Sequence, residues 1–493
     1  MHKKLAIMFL LALIGVIGGC AEATTTEAPA TTATTVTTAA PTTATTAITA
    51  TTTLAPTTVP TTITTTAAPY VYDPLVVPES VLEEARLSFR FFWEAANGDP
   101  QSSGYGLITD RYNVDTEAMG AASIASVGFG LSALLVGIEN DWIDYQEGYD
   151  RALGTLETLS GMQRTHGFFY HFVNMNTGSR AGYSEVSVID TALLIAGVIT
   201  VGEYFGGEVK ALATELYESV EWDWYYNWLR MCYYMGYMPE SGFSGYWEGY
   251  AEQLLMYVFG AASTNYKVGK EAYYHMKTLS SKRSYGTSEL FYTTHAGTLF
   301  TYQFSHAWLD FQAIVDKDGV DWFANSVQAS IAAHDYAVAA SISYKTLSDV
   351  AWGLTASDGP DGYKGNYGNL PSLGGNYIDG TLAPCGAIGS MPFVPELVIP
   401  AMEHYASIPA LQSRYGFRDA YNLGVTESAL PSVNRPQTPI PPGGWFNPWV
   451  IGIDKGITVL MIENYRSRLI WHYFMQSEIV QRGLAELEFT TKP

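Results

Sequence analysis

The spacing of apolar residues beyond position 78 predicts a domain built of helices. In the first predicted helix, Val81, Ala85 and Phe89 recur at helical intervals, and Asn97 with Gly98 ends it. Similar spacing predicts helices over 116–139, 145–159, 186–204, 208–220, 247–260, 268–279, 321–340, 395–406 and 456–476. A short strand fits 168–172, but strands do not alternate with helices as a parallel sheet requires. The pattern therefore predicts an all-α fold.

One apolar stretch, Met119–Ile138, contains no charged residue over twenty positions, which is long enough for a membrane span. Its glycines and serines allow close helix contacts on every side, and it lacks the anchoring residues of a membrane helix. We interpret it as a buried inner helix and keep a membrane span as the alternative. Helices that are apolar all round, together with amphipathic ones, predict two concentric layers. The expected architecture is an (α/α)6 toroid whose long loops form a cleft.

The first twenty residues have the features of a bacterial lipoprotein signal peptide. A basic start is followed by the apolar run Leu5–Ile17, which is too short to span a bilayer. The run leads into Ile17-Gly18-Gly19-Cys20, which resembles a lipobox with Cys20 as the lipidated residue. An ordinary signal peptide with an incidental cysteine is the alternative. The interpretation predicts an extracytoplasmic protein, anchored to the cell envelope at the cell surface through its N-terminal lipid only.

Residues 21–70 are rich in threonine, alanine and proline and contain no Lys or Arg. Because large apolar residues do not recur there, the segment cannot bury enough surface to fold. It is predicted to be a disordered stalk, with glycosylation left open. Residues 71–493 form the expected catalytic domain, which the stalk would hold away from the envelope.

The composition limits the possible partners. The chain has 48 acidic and 26 basic residues, a formal net charge of −22. A surface of that sign repels phosphate backbones but not a neutral glucan, so nucleic acid is not an expected partner. Three cysteines are too few for a disulfide scaffold, and Cys232 and Cys385 could either pair or remain two buried thiols. We expect a monomer.

Hydrolysis of a glycosidic bond requires two carboxyl groups, and aromatic surfaces bind the sugar rings. The segment 247–252 offers both, since Trp247 and Tyr250 alternate with Glu248 and Glu252. If the segment is helical, both glutamates lie on one face, and burial beside aromatic rings would raise the pKa of one of them. A carboxyl with a raised pKa is suited to general acid catalysis, so both are candidates. The alternative is an acid that only stabilises a helix N-terminus.

Two further segments carry acids with apolar or aromatic neighbours. Glu185 and Asp190 open a predicted apolar helix, where a carboxylate is costly unless it is paired or faces water. His306, Trp308 and Asp310 lie close together, and His306 could hydrogen-bond to Asp310 four positions later. Helix capping is the alternative for the first pair, and a satisfied core pair is the alternative for the second.

The Gly-, Asp- and Tyr-rich stretch from Trp352 to Tyr363 includes Asp358 and is predicted to be a long surface loop. Long ordered loops in compact domains are often functional, so we expect it to form part of the cleft wall. Asp454 precedes the predicted helix at 456–476, where it is either an N-cap or a carboxylate facing the cleft.

Other reaction classes lack their motifs in this sequence. It contains no G-x-S-x-G elbow, no Walker A motif, no Rossmann fingerprint and no His, Cys and carboxylate set with zinc spacing. We therefore expect no organic cofactor and no catalytic metal.

The motifs together resemble, in their order along the chain, the glycoamylase-like domain, the group that contains glycoside hydrolase family 144. The similarity covers about 80–491 and rests on segments at 106–111, 123–131, 166–172, 184–192, 247–252, 305–311, 352–360, 452–456 and 462–466. The resemblance implies an (α/α)6 fold and hydrolysis of β-1,2-glucan, usually endo-acting and with inversion of configuration.

In such enzymes a Glu and an Asp face each other across the cleft. The resemblance places the Glu at Glu252, with Glu248 as the rival, and the Asp at Asp454. The substrate-binding residues that it implies, together with the neighbouring aromatic candidates, are Glu185, Asp190, Trp247, Tyr250, His306, Trp308, Asp310, Trp352, Asp358 and Tyr363. Inversion predicts catalytic carboxyl groups about 6.5–9.5 Å apart, or farther if a substrate hydroxyl relays the proton.

Two features depart from the family pattern. Pro431–Pro448 looks like an insertion before Asp454 that could reshape one end of the cleft, which leaves endo versus exo action open. Cys385 stands where another small residue is expected. The rival functions are an exo-acting or other-linkage glucan hydrolase and a glycan-binding lipoprotein without catalytic activity.

Overall fold

The computed structural model describes residues 70–425 and 443–492. The predicted signal peptide, the lipidation site Cys20, the stalk up to residue 69 and most of the Pro431–Pro448 stretch lie outside the described residues.

Helices account for most of the regular structure in the described part of the chain. They are α1 Glu79–Glu94, α2 Ile124–Glu139, α3 Tyr145–Gly161, α4 Val188–Phe205, α5 Gly207–Glu218, α6 Leu254–Ala262, α7 Lys270–Leu279, α8 Trp322–Ala340, α9 Pro384–Ile388, α10 Pro395–Ala406, α11 Gly452–Arg466, α12 Leu469–Gln476 and α13 Glu478–Glu486. Short 3-10 turns lie at Trp222–Tyr225, Leu299–Tyr302, Phe304–Ala307 and Pro409–Leu411.

The strands are short and pair in antiparallel fashion in the loops between helices. They are β1 Arg111–Asn113, β2 Ala122–Ser123, β3 Phe172–Val173, β4 Val186–Ser187, β5 Tyr226–Asn227, β6 Cys232–Met238, β7 Gly242–Tyr246, β8 Ser281–Arg283, β9 Phe291–Thr293, β10 Ile314–Val315, β11 Ser357–Gly359, β12 Gly362–Lys364, β13 Gln412–Ser413, β14 Gly416–Phe417, β15 Tyr421–Asn422, β16 Trp445–Phe446, β17 Trp449–Ile451 and β18 Thr490–Thr491. Strands β4, β5, β6 and β7 form one four-stranded sheet, and the other sheets have two strands.

The helices α2 and α4 are buried on nearly all sides and pack against each other in the core. Each begins at a capping serine, Ser123 or Ser187, whose side chain accepts a backbone N–H three positions later. Gly128 and Gly197 lie where the helices meet, and a Cβ on Gly197 would come within 2.0 Å of the Gly128 carbonyl oxygen. Glycine at these positions therefore permits the close approach of the two helices.

The helices α6 and α11 extend this buried set, since α11 packs on α2 and α6 packs on α4. A second set, α1, α3, α5, α7, α8 and α10, has one buried and one more exposed face. In α8, for example, Trp322, Ser326, Ala329 and Ala333 are buried at helical spacing. Both kinds of helix expected from the sequence are present.

Most predicted helices are confirmed. Those over 145–159, 186–204, 208–220, 268–279, 321–340 and 395–406 correspond to α3, α4, α5, α7, α8 and α10. The prediction over 116–139 is wrong in its first part, because a turn and strand β2 precede the Ser123 cap. The prediction of one continuous helix over 456–476 is also wrong. Arg468 adopts a left-handed conformation with φ 63° and separates α11 from α12. Helices α9 and α13 were not predicted.

From Ile124 onward the stretch Met119–Ile138 is confirmed as a buried helix, since α2 is almost entirely enclosed by protein. Met119 itself is exposed and lies outside the helix. Among the described residues, α4 is the one helix long and apolar enough to cross a membrane, and most of it is buried in the protein. Cys232 and Cys385 are both buried and unpaired, so the alternative of two free thiols is the correct one.

Candidate active site

The acidic candidates lie near three helix N-termini and on one hairpin. Asp190 is in the first turn of α4, Asp454 is in the first turn of α11, and Glu252 lies just before α6. Asp358 on β11 pairs with Tyr363 on β12. The positive end of a helix dipole favours a carboxylate, which offsets part of the cost of collecting like charges.

Glu252 is held by its backbone, while its carboxyl group lacks a cationic partner among the described residues. Ser305 Oγ donates a hydrogen bond to the Glu252 carbonyl oxygen at 2.5 Å. The carboxyl oxygen Oε2 is buried and accepts no hydrogen bond from any described residue. Burial, helped by the negative charge of Asp190, raises the pKa of Glu252 from 4.5 to about 8. The carboxyl is therefore protonated at neutral pH and able to donate a proton.

Glu248 and Glu252 do not share a helical face, so that prediction is wrong. The segment before α6 is a bend rather than a helix, and Gly249 adopts a positive φ of 80°. Glu248 is exposed and forms an ion pair with Arg230 at 2.7 Å. The two glutamates therefore occupy different surroundings, and the buried one is Glu252.

Asp454 faces a second buried acid, Asp419, in the loop before β15. Burial raises the pKa of Asp454 above its usual value, and hydrogen bonds with Asp419 and the Cys385 thiol, together with the charge of Lys455, offset only part of this rise. Burial and the facing Asp454 raise the pKa of Asp419 well above its usual value. Two buried carboxyl groups in contact cannot both be ionised at low cost, so the pair holds one proton at neutral pH.

A network of donors fixes the neighbouring Asp358. Arg111 Nη1 donates to Asp358 Oδ2 at 3.0 Å, and Arg111 Nε donates to Asp110 at 2.9 Å. Asn447 Nδ2 donates to Asp358 Oδ2 at 3.2 Å and to Asp419 Oδ2 at 2.9 Å. Strand β1 carries Arg111 beside β17, so the network lies next to the start of α11.

The Tyr363 hydroxyl is influenced by the charges of both Glu252 and Asp454. Its ring is 42% exposed, but burial of the hydroxyl is the main cause that raises its pKa far above the usual range. The charges that act in the same direction belong to Asp454, Asp419, Asp358 and Glu252. The hydroxyl therefore lies within electrostatic range of both candidates, which are far apart in sequence.

Glu185 and Asp190 flank a histidine. His171 Nδ1 lies 2.8 Å from Glu185 Oε1, and His171 Nε2 lies 3.6 Å from Asp190 Oδ1. Burial alone would lower the pKa of His171, but the two carboxylates outweigh it and raise the pKa to about 9. Because the charge of Asp190 also raises the pKa of Glu252, this cluster of two carboxylates and one histidine adjoins the proton donor.

Four predicted substrate-binding residues lie in the core instead. Trp308 and Trp352 are fully buried, and their indole N–H groups donate to Ser132 Oγ and to the Leu397 carbonyl. These two predictions are wrong, because no ring face is left for a sugar. Tyr250 is also wrong, since its buried ring stacks on another core ring, with centroids 4.5 Å apart.

His306 is the fourth predicted substrate-binding residue that lies in the core. Its Nε2 bonds to Ser326 Oγ at 3.0 Å, and burial lowers its pKa to about 3. The expected bond between His306 and Asp310 is wrong, because Asp310 pairs with Arg468. Trp247 keeps partial access to the surface and remains a candidate beside the Glu252 segment, whereas Asp310 is buried.

Sequence reasoning did not single out Asp419 or Asn447. An acid in an apolar and aromatic run is a usable signal, because it drew attention to Asp190 and applies equally to Phe417-Arg418-Asp419-Ala420-Tyr421. Asp110, Arg111 and His171 were included only within longer motifs.

Within the described ranges, no group of three or more His, Cys, Asp or Glu side chains is placed to hold a metal ion. A cavity of about 720 Å³ lies between α3 and neighbouring loops and is lined by none of the acids above. The chemistry available at the site is therefore proton donation by Glu252 and proton acceptance by Asp454.

Comparison with known proteins supports this interpretation. Residues 244–478 match the Glycoamylase family model, which is described as a glucoamylase, and this range includes Glu252, Asp419 and Asp454. A curated relative from Parabacteroides distasonis is an exo β-1,2-glucooligosaccharide sophorohydrolase acting at the non-reducing end, and it is 26% identical over 439 residues. The match covers 81% of this chain and 56% of that relative, so the chain spans little more than half of the relative's length.

Similar solved structures agree with the family match and with the curated relative. An endo-β-1,2-glucanase from Chitinophaga pinensis, in complex with sophorotriose and glucose, is 28% identical with a TM-score of 0.72, covering 84% of this chain and 99% of that one. A β-1,2-glucanase from Parabacteroides distasonis has a TM-score of 0.69 at 24% identity, covers 84% of this chain and 60% of that one, and speaks to the fold alone. The resemblance recognised from the sequence motifs is thus confirmed: part of the chain matches the Glycoamylase family model, and the chain is similar in sequence and structure to β-1,2-glucan hydrolases.

Proposed function

We propose that this protein is a cell-surface glycoside hydrolase that cleaves β-1,2-glucan by inversion, with Glu252 as the general acid and Asp454 as the general base. The observation that carries the proposal is that a protonated, unpaired glutamate and a hydrogen-bonded aspartate both lie within electrostatic range of the Tyr363 hydroxyl. Two carboxyl groups kept in opposite protonation states are the requirement of an inverting glycosidase.

The helix arrangement supports an (α/α)6 toroid around this site. Along the chain, amphipathic helices alternate with buried ones as α1 and α2, α3 and α4, α5 and α6, α8 and α9, and α10 and α11. The remaining pair is α7 with the buried 3-10 turns at Leu299–Tyr302 and Phe304–Ala307. Asp190, Glu252 and Asp454 all lie at the starts of members of the buried set, so one end of the ring would carry the acids.

Glu252 would protonate the glycosidic oxygen of the leaving group. Its pKa of about 8 keeps the proton at neutral pH, and its unpaired Oε2 leaves the proton free to be shared with a substrate oxygen. Glu248 is not suited to this role, because it is exposed and paired with Arg230.

Asp454 would accept a proton from the attacking water. Its place in the first turn of α11, together with hydrogen bonds from its neighbours, favours the ionised form that a base requires. Glu185, Asp190 and Asp358 would bind sugar hydroxyl groups, and the exposed ring of Tyr363 would contact a sugar face.

Endo action is the first choice and exo release of a disaccharide the second. The relative from Chitinophaga pinensis is an endo-β-1,2-glucanase, whereas the curated relative from Parabacteroides distasonis is an exo-acting sophorohydrolase. Both names share the β-1,2 linkage, which therefore supports the proposed substrate more strongly than either mode of attack.

The test is incubation of a protein starting at residue 70 with linear β-1,2-glucan, β-1,3-glucan, β-1,4-glucan and α-1,4-glucan, followed by chromatography of the products. We expect new reducing ends only from β-1,2-glucan, with a range of oligosaccharide lengths early in the reaction. Sophorose as the single early product would support exo action. Cleavage of another glucan alone would refute the linkage, and binding without cleavage of any glucan would refute catalysis.

The surface anchor is proposed from the sequence of residues 1–20. Expression of the full chain in a bacterial host should give detergent-phase partitioning and incorporation of labelled fatty acid. The Cys20→Ala variant should lose both, and fatty acid labelling that persists in this variant would refute Cys20 as the lipidation site.

A further inference from the structure

We propose that Asp419 is a positioning residue that stays a neutral carboxylic acid and donates its O–H, from Oδ1, to the Asp454 carboxylate. This inference rests on the proposed function, because it concerns how the proposed base is held. The proton that Asp419 and Asp454 share is thereby assigned to Asp419, which is not one of the two proposed catalytic residues, Glu252 and Asp454.

The hydrogen bonds of Asp419 are those of a neutral acid. Oδ2 accepts the backbone N–H of Asp358 at 3.0 Å and Asn447 Nδ2 at 2.9 Å, as a carbonyl oxygen can. Oδ1 is buried and receives no hydrogen bond from any described donor, and the residue as a whole is only 4% exposed. An ionised Asp419 would leave this oxygen as a buried charge without a donor, which is costly.

A proton on Oδ1 removes this cost, because the Asp454 carboxylate faces it as an acceptor. A water molecule as the alternative partner would have little room. The void beside Asp419 and Asp454 measures about 10 Å³, at the lower limit of the roughly 10–15 Å³ that one water molecule needs. The O–H of Asp419 is therefore the donor that best satisfies both carboxyl groups.

The surroundings make Asp454 the ionised member of the pair. Asp454 lies in the first turn of α11, and the Cys385 thiol hydrogen-bonds to it. The charged or titratable groups around the pair on the surrounding elements are Glu84, Asp110, Arg111, Asp358, Tyr363, Cys385, Arg418 and Lys455. With Asp419 neutral, one Asp454 oxygen accepts its O–H and the other remains available to activate water.

The test compares Asp419→Asn with Asp419→Leu. An asparagine can orient its oxygen toward the two N–H donors and its amide N–H toward Asp454, so it reproduces the neutral acid. We expect kcat of Asp419→Asn to stay within about threefold of the wild-type value, with the acid limb of the pH profile in place. Asp419→Leu should lower kcat by about ten- to a hundredfold, the worth of one hydrogen bond to a charged group.

Because Asp419 does not contact substrate in this account, KM of Asp419→Leu should change little. The acid limb of its kcat/KM profile should move to higher pH, because Asp454 loses the donor that stabilises its ionised form. A structural role alone would lower the melting temperature without moving this limb, and that result would overturn the proposal. Equal losses in the Asn and Leu variants would also overturn it.

Infrared difference spectroscopy tests the protonation state without an activity assay. In a Glu252→Gln background at neutral pH, adding Asp419→Asn should remove one protonated-carboxyl absorption, and an unchanged spectrum would contradict the proposal. If the wild-type protein cleaves no β-1,2-glucan while this band is lost, the proposed function fails and the protonation of Asp419 stands.

Discussion

The surroundings of Glu252 and those of Asp454 differ in how far they offset the effect of burial on the pKa of a carboxyl group. Around Glu252, the described residues provide no cation and no donor to Oε2, so burial raises the pKa to about 8. Around Asp454, a helix N-terminus and the side chains of Asp419, Cys385 and Lys455 oppose the effect of burial. The difference shows how one protein can hold an acid and a base at the same pH by varying their neighbours.

Removing the acid should have the largest effect. Glu252→Gln keeps the shape of the side chain but loses the transferable proton, so kcat should fall by about a hundred- to ten-thousandfold. Binding of β-1,2-glucan to this variant, measured by calorimetry, should persist. The matched control is Glu248→Gln, which breaks only an exposed ion pair with Arg230 and should leave kcat close to the wild-type value. If Glu248→Gln is the more damaging change, the assignment is reversed.

Removing the base should be nearly as damaging. Asp454→Asn cannot accept the proton of water, and we expect kcat to fall by about a hundred- to ten-thousandfold. Addition of azide, a small anion that can replace a lost carboxylate, should restore part of the rate. Full activity in the Asp454→Asn variant would show that another residue is the base.

The Asp454 region also depends on a buried ion pair that the Glu252 region lacks. Lys455 Nζ lies 2.9 Å from Glu84 Oε1, both side chains are almost fully buried, and Glu84 also accepts the Phe417 N–H. Glu84→Gln leaves Lys455 as an unpaired buried charge, so the free energy of unfolding should fall by about 3–5 kcal/mol.

Denaturant unfolding measures this loss. The control is Glu83→Gln, which removes an exposed ion pair with Arg86 on the same helix and should cost less than about 1 kcal/mol. Similar losses in the two variants would mean that the buried pair contributes no more than the surface one.

The pH dependence of activity provides a further test of the difference between Glu252 and Asp454. Catalysis needs protonated Glu252, so kcat/KM should be retained below pH 8 and fall as the pH rises through about 8. The pKa of Glu252 is higher in the folded than in the unfolded state, so its contribution to stability is also lost as the pH rises through this range.

Melting temperatures at pH 6 and pH 9 therefore provide an independent check. The decrease in melting temperature from pH 6 to pH 9 should be smaller for Glu252→Gln than for the wild type. An alkaline limb of activity well below pH 7 would contradict the assignment of the acid.

Tyr363 should have the smallest effect of the series. Its hydroxyl lies in the field of both regions without being a proposed proton donor. Tyr363→Phe removes one hydrogen-bonding group and should raise KM by about five- to tenfold, with little loss of kcat. Tyr377→Phe, a change at a similarly exposed tyrosine of the same loop region, should leave both parameters unchanged.

The sequence predicts the buried and amphipathic helices well, because periodic apolar residues and caps such as Ser123, Ser187 and Asp321 act locally. It also identifies Glu252, Asp190 and Asp454 as carboxylates in apolar surroundings. It fails at 247–253, because the same acidic and aromatic pattern fits either a helix or a bend, and the tertiary contact from Ser305 to the Glu252 backbone is not visible in it.

Asp419 escapes sequence reasoning for a similar reason. Its role comes from Asn447 and Asp454, which reach it from other parts of the chain. For Trp308 and Trp352 the error is the reverse, because core residues were predicted to bind substrate. A tryptophan beside an acid suggests a surface for sugar stacking, whereas both indoles fill the core.

The most direct test of the central claim, that Glu252 and Asp454 serve one reaction, is a double-mutant cycle on β-1,2-glucan with Glu252→Gln, Asp454→Asn and the double variant. If both act in the same step, the double variant should retain a rate close to that of the slower single variant, since residues that work as a unit are strongly non-additive. Losses that multiply, so that the double variant is slower by the product of the two single effects, would contradict the account.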